Sequence, residues 1–344
     1  TDGSPYEGCP RNALKRILKK IADMGYTCNM GPELEYFYFA DDKGTKTLDR
    51  GGYYDGLPVD KTADIRRETI AALQEMGIKV EYSHHEVAPS QQEIALRYDD
   101  ALTMADTVMT YRTTVKEIAR QHGIYATFMP KPIASENGSG MHVHQSLFKD
   151  GKNAFFDADD EDNLSPIAKQ YISGILNHAR EIVAVTNQSV NSYKRLVPGY
   201  EAPVYVSWAR HNRSAMVRVP MYKPGKANAT RMEFRAPDPA CNPYLTFAVQ
   251  LAAGLKGMEG NYGLGQPIEE DIFDMHPDAR EKAGVTSLPG NLFEAIQEVS
   301  KSELVHDALG DHIFNKFIDN KKREWDEFRA HVSQFEIDKY LPIL

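Results

Sequence analysis

Glu33 and Glu35 stand two residues apart in the run GPELEYFYF, residues 31–39. Side chains alternate faces along a strand, so both carboxylates point one way, about 7 Å apart, and Leu34, Tyr36 and Tyr38 point the other. The same spacing recurs later. MHVHQSL (141–147) sets His142, His144 and Ser146 on one face, and RMEFR (231–235) does so with Arg231, Glu233 and Arg235. Before both, EVAPSQQE (86–93) adds Glu86 and Glu93 directly after His84 and His85. Segments that turn charge to one side and apolar groups to the other fit around a polar cavity backed by a hydrophobic layer, with metal ions or phosphates as its contents.

Glu33, Glu35, Glu86, Glu93, His142 and Glu233 make an oxygen-rich set of ligands, enough for two cation sites. Such ligands select Mg²⁺ or Mn²⁺ over zinc, which prefers thiolate and imidazole. Arg195, Arg213, Arg218 and Arg235 lie in the same half of the chain, and guanidinium groups grip phosphate and carboxylate bidentately. Paired cations with arginines describe phosphoryl transfer, where catalysis is mainly positioning and charge neutralisation. Neither a P-loop nor a dinucleotide GxGxxG is present, so the nucleotide must be held by another fold. His84 and His85 read as packing residues or as supports behind the ligands.

The elements that must position these groups alternate between strands and helices. Pro10–Gly25 reads as an amphipathic helix, followed by the Glu33 strand and then a hydrophilic loop, residues 41–60, expected to be exposed. Asp64–Met76 reads as a second helix, Ile78–Tyr82 as a short strand, and Ala101–Gln121 as a long helix ended by Gly123. After Asn137-Gly-Ser-Gly140 comes the His142 strand, then a helix over Pro166–Gln188 and a loop in which Pro198, Gly199 and Pro203 flank Glu201. Mostly helical sequence completes the chain, including 292–299 and 313–328. The pattern is α+β, a sheet covered by helices.

Composition narrows the class. With 344 residues, 42% of them hydrophobic, the chain can bury a large core. A net charge of −9 argues against a general nucleic-acid binder. Three scattered cysteines exclude a disulfide framework or a thiolate zinc site, and a reducing, cytoplasmic setting is expected. No apolar run approaches the ~20 residues of a membrane span.

Taken together, GPELEYFYF, HHEVAPSQQEIALRY, ATFMPKP, NGSGMHVHQSL, NSYKRLVPGYEAPVYVSWARHNRSA and ATRMEFRAPDPACNPYL resemble the catalytic domain of type I glutamine synthetase, in order and from about residue 6 onward. The resemblance implies one catalytic domain over residues 1–344, built on a curved antiparallel β-sheet funnel with helices outside. It implies ATP-dependent ligation of ammonia to glutamate through γ-glutamyl phosphate. Glu35, Glu86 and Glu93 match one cation site, and Glu33, His142 and Glu233 a second that bridges ATP phosphates. Asn137, Gly138, Arg195 and Arg235 match glutamate-holding positions, with His142 beside them, and Arg213 and Arg218 match phosphate-stabilising ones. Glu81, Tyr98, His144, Ser146 and Arg231 match the ATP site. Glu201 matches the acid of a flap, and Tyr53 an ammonium-pocket tyrosine. Read from the residues alone, His144 also fits a satisfied strand histidine, Tyr98 a core residue and Arg231 an ion-pair partner.

Departures from the family carry expectations of their own. The family begins with a smaller β-grasp domain whose loop completes the neighbouring subunit's site. Residues 1–9 read as the remnant of its linker, so the chain is expected to turn over poorly by itself. Phe273 stands where adenylylated members carry tyrosine, so no adenylylation is expected. Ser90 stands where many relatives have glycine, and Asn228 near a position that can be lysine. The resemblance implies a homo-oligomer, a dodecamer of two stacked hexameric rings, with the apolar C-terminus either docking on another copy or capping its own core. Two further readings stay open: a ligase for an amine larger than ammonia, and a non-catalytic relative.

Overall fold

The computed structural model describes residues 3–221 and 225–344; Thr1 and Asp2 of the expected 1–9 linker remnant lie outside the described residues. Among the described residues ten strands form one sheet: β1 (Thr27–Phe39), β2 (Val80–His85), β3 (Gln91–Leu96), β4 (Asp99–Asp100), β5 (Tyr125–Thr127), β6 (Met141–Lys149), β7 (Lys152–Asn153), β8 (Trp208–Ala209), β9 (Val217–Arg218) and β10 (Met232–Phe234). Their order is β2-β3-β1-β6-β10-β9-β8, with β4 and β5 on β1 and β7 on β6. Among the described residues every pairing is antiparallel except β8 with β9. The expected antiparallel sheet is therefore mixed, because the chain returns from β8 through the 210–216 loop and enters β9 in the same direction. Among the described residues the sheet does not close.

β1 organises the rest. Its 13 residues pair with β3 on one side and β6 on the other, so a single strand supplies acids to both halves of the sheet face. On the opposite face Leu34, Tyr36 and Tyr38 are fully buried. There the Tyr36 ring meets Tyr38, Tyr111 and Phe128, and the Tyr111 hydroxyl donates to the Leu34 carbonyl. Tyr111 belongs to the helix Ala101–Gln121, whose first turn is capped by Asp100 accepting from the Leu102 and Thr103 amides. The helices Pro10–Asp23 and Pro243–Glu259 also bury apolar faces in this core. No helix is long and apolar enough to cross a membrane among the described residues.

Three expectations need correction. The predicted helix over Pro166–Gln188 is broken at His178 into Pro166–Asn177 and Ala179–Thr186. The Asn177 amide takes the Ser173 carbonyl and His178 pairs with Glu181, so local polar side chains compete with the backbone ladder. Asn187 then leaves the helix to bond the Ala236 carbonyl and the Asp238 carboxylate.

The 41–60 loop is not simply exposed, since Asp49 and Asp60 are both buried. Asp49 accepts from the Ser90 amide at 2.8 Å and meets His85 at 3.2 Å, while Asp60 pairs with Arg66 at 2.8 Å. Acids go inside here because each finds a partner. Burial alone would raise Asp49 and lower His85, but their mutual pairing wins and drives each the other way.

The strand predicted over Ile78–Tyr82 starts two residues later and runs through both histidines. The C-terminal helix Gln334–Tyr340 buries no residue, so the apolar end does not cap its own core. Phe335, Leu341 and Ile343 remain exposed.

Candidate active site

The predicted site residues, far apart in sequence, line two adjoining cavities. One of about 410 Å³ is lined by Glu33, Glu35, Tyr53, Glu86, Glu93, Asn137, Gly138, His142, Arg195, Glu201, Arg213, Arg218, Glu233 and Arg235. The other, about 200 Å³, is lined by Glu81, Tyr98, His144, Ser146 and Arg231. Glu33 and Tyr82 belong to both walls.

Register explains the convergence. Glu33 on β1 lies opposite His142 on β6, and Glu233 on β10 lies opposite His144 and Arg218. Glu35 faces Glu93 across β1 and β3, and Glu93 faces His84 across β3 and β2. Four polar strand faces thus meet on one side of the sheet, the side away from the tyrosine core.

The first cluster is Glu33, His142 and Glu233. His142 Nδ1 stands 3.6 Å from both Glu33 Oε2 and Glu233 Oε1. Glu233 is fully buried between Arg235 at 2.7 Å and Arg218 at 2.5 Å. Burial opposes its charge, but Arg235, the two imidazoles and Arg218 hold it down at about 2. Glu33 behaves alike: burial works against ionisation, and His144 and His142 keep it well below the usual range. Burial and Arg235 push His142 down to about 4, so it is a neutral imidazole with a lone pair, the form a metal ligand needs.

The second cluster differs. His84, Glu86 and Glu93 bring three ligand atoms within 4.8 Å of one another. His84 Nε2 bonds Glu86 at 2.7 Å, while its buried Nδ1 has no hydrogen-bond partner and lies 4.0 Å from Glu93. Glu35, which the sequence grouped here, instead accepts from Gln91 at 2.9 Å and the Gly140 amide at 3.0 Å. Burial and then Glu86 push the Glu35 carboxyl up to about 8. Burial with Glu33, Glu86 and Glu35 drives Glu93 well above its normal value. Crowded acids and an orphaned imidazole nitrogen are what a divalent cation would satisfy. The residues therefore fit such an ion at both clusters.

Around the acids sit the groups matched to an amino-acid substrate. Arg195 is buried and donates to the Ala236 carbonyl at 2.7 Å. Its alkyl stem covers Gly138, where a Cβ would collide with the Pro130 carbonyl and press on Arg195, so only glycine fits. Asn137 donates to Glu201 at 3.2 Å, across the cavity mouth. Glu201 has φ +54°, a left-handed backbone uncommon outside glycine. Lys131 sits 3.4 Å over the Tyr200 ring and pins the same loop. A Tyr53 hydrogen bond raises Arg213 despite burial.

In the smaller cavity Arg231 Nε donates to His144 Nδ1 at 3.1 Å. Guanidinium only donates, so the imidazole proton sits on Nε2 and points at Glu33 Oε1, 3.0 Å away. Tyr98 is 55% exposed, which removes the core reading and leaves its ring free at the cavity wall.

Sequence reasoning passed over His84 and Tyr82. Both share a strand face at i, i+2 in VEYSHH, the signal used elsewhere. His84 was hidden because the expected strand stopped at Tyr82, whereas β2 continues to His85.

A family model described as "Glutamine synthetase, catalytic domain" matches residues 7–340. The chain is 50% identical over 347 residues to the glutamine synthetase of Methanosarcina mazei, covering 100% of this chain and 77% of that protein. It is 49% identical over 344 residues to that of Thermotoga maritima, covering 99% and 78%. Among solved structures, a GmaS/ADP complex superposes with TM-score 0.90 at 33% identity, covering 99% of this chain and 79% of the other. Plasmodium falciparum glutamine synthetase does so with TM-score 0.86 at 25% identity, covering 98% and 80%.

Proposed function

Because this chain belongs to the glutamine synthetase family by its catalytic domain, and is by that kinship a ligase that makes glutamine, we propose that its larger cavity holds glutamate and its smaller one ATP. The observation that carries the division is the shared wall: Glu33 faces both cavities, so a phosphoryl group passes between them without leaving the acid cluster.

In this reading Glu33, His142 and Glu233 hold one cation and Glu35, Glu86 and Glu93 the other, with His84 joining the second set. Bound Mg²⁺ or Mn²⁺ would neutralise phosphate and carboxylate charge. The protein's own groups do the rest. Tyr98, Ser146, Glu81 and Arg231 orient the nucleotide, and Arg213 and Arg218 spread the charge of the phosphoryl group in flight. Arg195, Arg235, Asn137 and the Gly138 backbone fix glutamate so that its γ-carboxylate attacks the γ-phosphorus, releasing ADP and leaving γ-glutamyl phosphate. Tyr53 and Glu201 frame the approach of ammonium. Glu201 takes its proton, and the resulting ammonia attacks the acyl carbon, displacing phosphate and losing a second proton, to the departing phosphate, to give glutamine.

The 1–344 span forms one catalytic domain in this reading. The exposed apolar residues of the last helix favour assembly with further copies. The experiment is oxygen transfer: glutamate labelled with ¹⁸O in its γ-carboxylate should deliver one labelled oxygen to inorganic phosphate per glutamine formed. Unlabelled phosphate would rule out the acyl phosphate route.

A further inference from the structure

Tyr82 belongs to none of the matched motif positions, yet its hydroxyl donates to Glu33 Oε1 at 2.9 Å. How it gets there is written in the register. Tyr82 on β2 and Glu33 on β1 both stand opposite Ala95 on the strand between them. Residues directly opposed in a sheet share a face, and strands lie about 4.8 Å apart, so the tyrosine must reach across two strand spacings. Ala95 leaves the gap open with a single methyl. An irregularity between Val80 and Tyr82 places the extra residue, Glu81, in β2, and bulges of this kind re-aim a side chain beside an active site.

The consequence falls on Glu33. Its Oε1 receives both the Tyr82 hydroxyl and the His144 Nε2–H at 3.0 Å. Its Oε2 is left facing His142 Nδ1 at 3.6 Å, beside Glu233. One oxygen is saturated by donors and the other is free for a cation. Outer partners that orient a ligating carboxylate commonly govern affinity.

We propose that Tyr82 is a positioning residue: by fixing Glu33 at the neck between the cavities, it sets the cation and nucleotide affinity of the His142–Glu233 side. The inference rests on the two-cavity reading above. Tyr82 is 41% exposed, so deleting its hydroxyl leaves the core untouched.

The test is Tyr82→Phe in the full chain, followed by Mn²⁺ titration, steady-state kinetics and thermal melting. We expect one class of Mn²⁺ site to weaken about tenfold and the KM for ATP to rise by a similar factor. The other Mn²⁺ class, the KM for glutamate and the melting temperature should stay put. Ala95→Val keeps the hydroxyl but narrows its path, and should shift the same two quantities in the same direction. No change in Tyr82→Phe, an equal rise in both KM values, or a drop in melting temperature alone would overturn the inference. Failure of the parent chain to bind ATP in a Mn²⁺-dependent way would instead overturn the two-cavity reading, a result visible before any variant is made.

Discussion

The two acid clusters look alike in composition and opposite in electrostatics. Around Glu33, His142 and Glu233 the protein supplies its own counter-charge: Arg218 and Arg235 grip Glu233, and His144 and Tyr82 donate to Glu33. Around Glu35, Glu86 and Glu93 burial and crowding outweigh the pull of Arg195 and Arg235 on Glu35, and two of those acids are pushed toward their protonated forms. One side is assembled before any cation arrives, and the other is frustrated without one. Buried like charges that cost folding energy are retained where function needs them.

Removing one acid from each side gives the largest test of that contrast. Glu233→Gln and Glu93→Gln should each lower glutamine formation by about a hundredfold or more, as loss of a ligand carboxylate would. Their stabilities should diverge. Glu233→Gln strands two arginines beside a buried neutral amide, a loss of about 3–5 kcal/mol. Glu93→Gln relieves repulsion, so the EDTA-treated protein should melt at the same temperature or higher. Equal destabilisation by calorimetry would erase the distinction between the sides.

Acidity separates them next. A carboxyl raised to about 8 keeps its proton below that pH, and a cation must displace it. Affinity at the Glu35–Glu86–Glu93 side should therefore fall as pH falls from 8 to 6, by about tenfold per unit for each proton displaced. At the other side Glu233, at about 2, and His142, at about 4, are already in their ligand forms over that range, so binding should be flat. By the same sign, the cation-free protein loses stability as pH rises from 4.5 through 8, since Glu35 is raised in the fold. Two Mn²⁺ classes with identical pH slopes would contradict this.

The contrast also shows what the sequence could carry. Period-two spacing exposed Glu33/Glu35, His142/His144 and Glu233/Arg235, because alternation on a strand is local information. The long helix over Ala101–Gln121 was legible for the same reason, from its apolar period and closing glycine. Which acid groups with which was not legible, since His84 meets Glu93 only through strand register. The inward turn of Asp49 was hidden too. Its partners Ser90 and His85 lie some forty residues away, and a charged loop reads as solvent-facing until they are known.

That loop offers a smaller effect. Asp49→Asn keeps the shape but loses the charge that pairs with His85 and accepts the Ser90 and Gly51 amides. A cost of about 1–3 kcal/mol in urea unfolding is expected. Because the loop carries Tyr53 and Tyr54, and Tyr54 stacks on His84 at 4.4 Å, the Glu86 side should feel it first. Cation affinity should weaken there and hold at the His142 side. A uniform loss at both would mean that the loop supports the sheet generally.

The smallest effect is expected at Ser90, and it is a balance of two terms. Ser90 has φ +61°, a conformation that costs a residue with a Cβ about 1–2 kcal/mol and glycine almost nothing. Against this, its Oγ accepts from the Leu48 amide at 2.7 Å and the Asp49 amide at 3.2 Å, and such bonds contribute about 1 kcal/mol each. Glycine would relieve the first and forfeit the second, so Ser90→Gly should change unfolding free energy by less than about 1 kcal/mol. Ser90→Ala keeps the strain and deletes the hydroxyl, and should cost more than the glycine variant. If alanine proved as stable as serine, the hydroxyl would hold nothing, and the tether between the loop and the Glu86–Glu93 side would rest on Asp49 alone.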